Sequence, residues 1–126
     1  MRHTKSSPGT EGSLLAILFE LEGEDFMALN GGLEFKFTPA VSMFIKCENQ
    51  EEIDHYWAKL MDGGESMGCG WLTERFGVTW QVAPRRLLSM LQDPDPVKAD
   101  HTMQSMMSMI KVGINELDHV YNSNGA

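Results

Sequence analysis

The chain has 126 residues, 42% of them apolar and 22% charged, and a net charge of -8 from 18 acidic and 10 basic side chains. That is enough for one hydrophobic core and too little for two independent domains, and it argues against wholesale disorder. Nucleic-acid binding is disfavoured, because an acidic surface repels phosphates and Arg85-Arg86 is the only adjacent basic pair in the folded part.

No apolar run reaches membrane-spanning length, and the opening MRHTKSSPGTEG lacks the apolar stretch of a signal peptide. Cys47 and Cys69 are too few for a disulfide framework. Both lie in apolar, strand-like surroundings, so they read as reduced thiols of a cytoplasmic protein.

The polar first dozen residues, with Pro8-Gly9 and Gly12, read as a loop or tail. SLLAILFELEGEDFMALNGG then predicts a hairpin, with strands near 15–21 and 26–30 around Glu22-Gly23-Glu24-Asp25. AVSMFIKC predicts a third strand, followed at once by a helix in ENQEEIDHYWAKLMDGG. Asn49 with Glu52 three residues later is a capping box, Ile53, Tyr56, Trp57, Leu60 and Met61 recur at helical spacing, and Asp62-Gly63-Gly64 is the stop. DGGESMGCG reads as a chain reversal. Two strands follow, at 69–73 and 78–82, with Glu74 and Arg75 as a solvated pair in the turn between them and Pro84 ending the system. Residues 86–91 form a short helix. Asp95-Pro96 opens a longer one whose stripe of Val97, Met103, Met106, Met107 and Ile110 is expected to pack on the sheet or on a second chain, with a peptide groove as the lesser reading. A last helix begins at Asn115 and fades into a polar tail, SNGA.

The chemistry-bearing residues are sparse. His3, His55, His101 and His119 form no pair at ligand spacing and read as surface histidines. The acidic run after Cys47 opposes a thiolate there, whereas Cys69, between two glycines, is the more accessible thiol. No glycine-rich phosphate loop occurs. Strand alternation says more. Val41, Met43, Ile45 and Cys47 suit a helix-covered face, which leaves Ser42, Phe44 and Lys46 on the other; Thr79 and Gln81 oppose Val78, Trp80 and Val82 in the same way. Asn30, Ser42, Phe44, Thr79 and Gln81 thus describe a mixed surface that either lines a cavity or packs against another sheet.

Four segments, FELEGEDFMALNGG, ENQEEIDHYWAKLMDGGE, CGWLTERFGVTWQVAPR and DPDPVKADHTMQSMM, resemble the PhnB-like branch of the glyoxalase/bleomycin-resistance/dihydroxybiphenyl-dioxygenase superfamily. That branch is often labelled 3-demethylubiquinone 3-methyltransferase-like. The resemblance implies an α+β fold: paired βαβββ modules with curved mixed sheets around a pocket and helices on the outer face. The chain is then a single glyoxalase-type domain over 1–126, with the back half of a first module at 1–32, a second module at 39–84 and C-terminal helices at 85–121. The strand and helix that open the first module in the family have no counterpart, so a truncated frame or a covering second chain is expected, and with it a homodimer. Metal-dependent relatives place a histidine and a glutamate where Ser42 and Gln81 stand, and a further glutamate where Asn30 stands; serine, glutamine and asparagine are poor ligands for such a site. The methyltransferase label lacks its glycine-rich loop here.

The resulting expectation is a metal-free, cofactor-free, cytoplasmic protein that binds an unidentified small molecule through Asn30, Ser42, Phe44, Cys69, Trp71, Thr79 and Gln81. Trp71 is the better wall residue, since Trp80 alternates toward the helix. No catalytic acid or base suggests itself, so enzymatic activity stays open. A methyltransferase-like enzyme and a ligand-free structural dimer are the competing readings.

Overall fold

The structure is a computed structural model describing residues 1–123; the end of the expected polar tail, 124–126, lies outside the described residues. The chain groups into two compact units, Met1–Lys36 and Phe37–Ala126.

The first unit is built on a hairpin of β1 (Ala16–Leu21) and β2 (Glu24–Leu29). Glu22 and Gly23 alone form the turn, with φ of 51° and 81°, the two-residue geometry whose twist matches the strands. The second strand therefore starts two residues earlier than expected. Phe19 and Phe26 lie directly opposite and stack at 5.6 Å. By register, Leu18, Met27 and Leu29 share one face, and Ile17, Phe19, Leu21 and Phe26 share the other. Both faces are apolar, and Leu18 and Leu29 are 68% and 64% exposed. Ahead of the hairpin, Arg2 bridges to Leu14, and the loop folds back through His3 N to Ser13 O and Gly12 N to His3 O. His3 is consequently buried and not the surface histidine expected from sequence. Its ring lies where a Cβ on residue 9 would come within 2.4 Å, so Gly9 is required there.

The second unit begins with β3 (Ser42–Cys47), α1 (Gln50–Met61), β4 (Glu65–Gly68), β5 (Trp71–Thr73) and β6 (Thr79–Pro84). The sheet order is β3-β6-β5-β4, with β3 parallel to β6 and the other pairs antiparallel. A parallel pair needs a crossover, and α1 begins it. The Asn49 side chain accepts from Glu52 N, as expected; the Glu52 carboxylate takes the amide of Glu48, one residue before the cap, instead of the cap's own. Ile53, Leu72, Val82 and Cys47 form a buried cluster flanked by Ile45, Trp57, Leu60, Met61 and Trp80. Burial of each of Ile53, Leu72 and Val82 contributes roughly 1.5–3 kcal/mol. Tyr56, expected on this face, is exposed.

DGGESMGCG is not a simple reversal. Residues Glu65–Gly68 form β4, and the chain turns back through Gly68, Cys69 and Gly70, all at positive φ. Charged and small residues without β-branching hid this edge strand.

Three helices follow: α2 (Leu87–Leu91), α3 (Pro96–Met107) and α4 (Ile114–Asn122). Asp95 caps α3 by accepting from Val97 N, with Pro96 in its first turn. Ala83, Leu87, Met90, Met109, Val112 and Leu117 form their core, and Phe44 packs against it. Most of the expected α3 stripe does not pack on the sheet within this chain. Val97, Met103, Met107 and Ile110 are exposed, and Ile110 lies beyond the helix. The buried residue of α3 is Thr102, whose hydroxyl donates to Lys98 O and so can be buried without an unpaired group; Met106 packs beside the cluster. Gln50 clamps this layer to α1, donating to Val112 O and accepting from Ile114 N, and Lys111 pairs with Asp54 at 2.8 Å. The Tyr121 hydroxyl donates to Asp93.

These contacts make helix docking depend on pH. The Lys111 hydrogen bond, then that of Gln50, holds Asp54 below its usual value of 3.8, and the Tyr121 hydroxyl, then Asp95 N, does the same for Asp93. A carboxyl depressed in the folded state stabilises fully above its unfolded value and loses that contribution as pH falls through the folded one. Tyr121 is raised above 10.0, first by its bond to Asp93 and then by burial, so its contribution is complete below 10.0 and is lost as pH rises through the folded value. Methyl NMR of Thr102 and Leu117 across an acid-to-alkaline titration is therefore expected to show loosening at both ends. Tyr121→Phe should reduce the alkaline limb and keep the Asp54 part of the acid limb; an unchanged alkaline limb would contradict this.

Candidate functional site

The sheet register sorts the candidate residues by face. Ser42 pairs with Thr79, and Thr79 with Thr73; Phe44 pairs with Gln81, and Gln81 with Trp71. Paired residues and their i+2 neighbours share a side. Ser42, Phe44, Trp71, Thr73, Thr79 and Gln81 therefore occupy the face opposite α1, while Ile45, Leu72, Trp80 and Val82 pack beneath the helix. Trp80 belongs to the core, with its indole N–H buried and lacking a partner among the described residues. Trp71 stands on the candidate face, half-buried.

This face has two rows. In the first, the Thr79 hydroxyl lies 3.5 Å from that of Thr73, which donates to Met67 Sδ. Thr79 is 1% exposed, so its hydroxyl stays inside this cluster. In the second row Gln81 stands between Phe44 and Trp71, and its Nε2 donates to Ser42 Oγ at 2.9 Å. The only charged side chains among the strand residues of this face are Lys46 and Glu65, on the two outer strands β3 and β4. Among the described residues no group of three or more His, Cys, Asp or Glu side chains could hold a metal ion. Ser42 and Gln81 bond each other instead, so this donor set does not fit the superfamily's divalent site.

The family described as 3-demethylubiquinone-9 3-methyltransferase matches residues 1–83. The PhnB protein from Bacillus cereus is similar at 35% identity with a TM-score of 0.56, over 64% of this chain and 72% of that one. None of the curated proteins matches. The chain belongs to the PhnB-like branch of the glyoxalase-like superfamily. Its α+β architecture of mixed sheet and helices agrees with that membership.

The PhnB-like match ends within β6, so α2, α3 and α4 lie beyond it. Asn30 lies in the first unit, just past β2. There its backbone N–H and side-chain amide donate to Leu15 O and Leu14 O and close the hairpin. Cys69 is not on the candidate face. It occupies the β4–β5 reversal at φ 57°, with its thiol 3.8 Å from Met107 Sδ and its backbone N–H bound to Met109 O. Thr73 and Met67 join the face without having been singled out. Alternation from Trp71 would have found Thr73; Met67 was hidden with β4. Glu74 and Arg75 are not a solvated pair. The Glu74 carboxylate accepts from Phe76 N and Val78 N and builds the turn, and Arg75 lies over the Phe76 ring at 4.8 Å.

The two thiols differ sharply. Burial, then the Glu52 and Glu48 carboxylates, push Cys47 up to about 11. Iodoacetamide at mildly alkaline pH is expected to label the native protein once, at Cys69, as read by peptide mass spectrometry; labelling of Cys47 at a similar rate would contradict its sealed position. Next to Cys69, Gly70 has φ 80°, and a Cβ there would lie 2.6 Å from Val112 Cγ2 and 3.0 Å from Val82 O. Gly70→Ala combines backbone strain with overpacking and is expected to cost about 2–4 kcal/mol in urea unfolding. A cost below about 0.5 kcal/mol would mean that this junction between sheet and helical layer is loose.

Proposed function

We propose that this PhnB-like protein is a metal-free, cytoplasmic, dimeric binder of a small molecule, and that the sheet face opposite α1 is its binding surface. The observation that carries the reading is the Ser42–Gln81 hydrogen bond. It leaves an uncharged polar centre between aromatic side chains, on a face with no helix of the crossover above it. Two free thiols suit a reducing compartment. Lys46 and Glu65, on opposite outer strands, make no acid–base pair, so the reading assigns binding and no catalytic step.

In the module reading, residues 1–32 are the remnant of one βαβββ module, 39–84 a second, and 85–121 an added helical layer, together one glyoxalase-type domain. The apolar, two-faced hairpin supports a dimer, because a lone two-stranded ribbon with both faces in water is marginal. The same exposure, with Thr79 already buried, favours a second reading: a structural dimer without ligand.

A methyltransferase reading finds less support. The strand-to-helix passage Cys47-Glu48-Asn49 has no glycine, and amides at the start of α1 are already taken by Asn49 and Glu52 side chains. A nucleoside cofactor held in the usual strand–loop–helix manner does not fit these residues. Native mass spectrometry on gently purified protein tests the proposal. A metal-free dimer that retains a small molecule is expected; a stoichiometric divalent metal, or a folded monomer, would overturn it.

A further inference from the structure

The second row of the face has a geometry that names a ligand class, and the inference rests on this face being the binding surface. Phe44, Gln81 and Trp71 lie abreast on β3, β6 and β5. Adjacent strands are spaced at about 4.8 Å, so the two aromatic residues stand about 10 Å apart with the glutamine at the midpoint. A ring inserted on edge between them would lie about 5 Å from each, inside the 4.5–7 Å range in which aromatic rings attract. Phe44 is half-buried and packs against the core of the C-terminal helices, which fixes that wall.

The floor of this slot is polar and uncharged. Gln81 spends one N–H on Ser42 Oγ. Its carbonyl oxygen and second N–H have no protein partner among the described residues, so a donor and an acceptor remain. The Ser42 hydroxyl, having accepted from Gln81, keeps a hydrogen to donate. Neither a cation nor an anion finds a counter-charge in this row, and removing one from water without a partner is costly. We infer that the slot takes a flat, uncharged ring compound whose rim carries both a hydrogen-bond donor and an acceptor, read by Gln81 and Ser42. Shape comes from the two rings and chemistry from the amide.

Three probes of one size separate the terms. 2-Naphthamide is flat and neutral with a donor and acceptor on its rim, decahydro-2-naphthamide keeps the amide without the plane, and 2-naphthoate keeps the plane and adds a charge. Calorimetric titration of the full-length protein is expected to give 2-naphthamide about 10-fold or more advantage over each of the others. Labelling with 5-fluorotryptophan should show the Trp71 resonance moving and those of Trp57 and Trp80 still. Gln81→Leu should weaken 2-naphthamide about 10-fold; Gln81→Met, closer in length, serves if the leucine variant fails to fold. Equal or tighter binding of the saturated amide or the carboxylate, with the Trp71 resonance still responding, would overturn the ligand class and leave the face as the site. No response at Trp71 to any probe would overturn the binding surface itself.

Discussion

The parallel pairing of β3 with β6 is the constraint from which the second unit follows. Two strands running the same way cannot be joined by a tight turn, so the chain must leave the sheet, cross it and return. The outward part of that crossing is α1, which seals one face through Ile53, Leu72 and Val82. Because successive side chains alternate, sealing one face commits Ser42, Phe44, Thr79 and Gln81 to the other. A register slip of one residue would put Gln81 into the apolar cluster and Val82 onto the candidate face.

The helical layer beyond the PhnB-like match is tied to this sheet and to α1 by backbone and side-chain contacts. Gln50 reaches from the start of α1 to the α3–α4 connection, and Gly70 allows Val112 to approach the sheet. Ala83 and Phe44 then bring this layer to the candidate face. The helices therefore back Phe44 at one side of the candidate face. The first unit is a different physical object. Its hairpin has good local geometry and stacked phenylalanines but leaves both faces apolar and exposed, which local geometry alone does not stabilise.

Legibility followed the strength of local signals. The Asn49 cap, the Asp95-Pro96 start and the Gly-Gly stop after α1 each rest on a few adjacent residues and lie where the pattern places them, and the hairpin is present with a turn two residues tighter than expected. Period-two alternation grouped Ser42, Phe44, Thr79 and Gln81 as the register does, but it also put with them Asn30, which closes the hairpin of the first unit. What escaped was non-local. Strand β4 has an unpromising composition and exists through its pairing with β5. Within the chain the α3 stripe does not pack on the sheet, because a threonine bonded to its own backbone can be buried where methionines stay exposed. His3 was hidden by a loop whose closure depends on Gly9, and the Glu74 carboxylate by backbone partners that no side-chain pattern announces.

The central claim is that the sheet has one structural face and one face kept for binding. Urea unfolding of Gln81→Leu against the unaltered protein tests it most directly. If the face opposite α1 is a binding surface, losing the Ser42 hydrogen bond leaves a hydroxyl that water can reach, and stability should change by no more than about 1 kcal/mol. A loss of several kcal/mol, comparable to truncating Leu72 in the sealed cluster at about 2–5 kcal/mol, would make Gln81 part of the structural core and contradict the account.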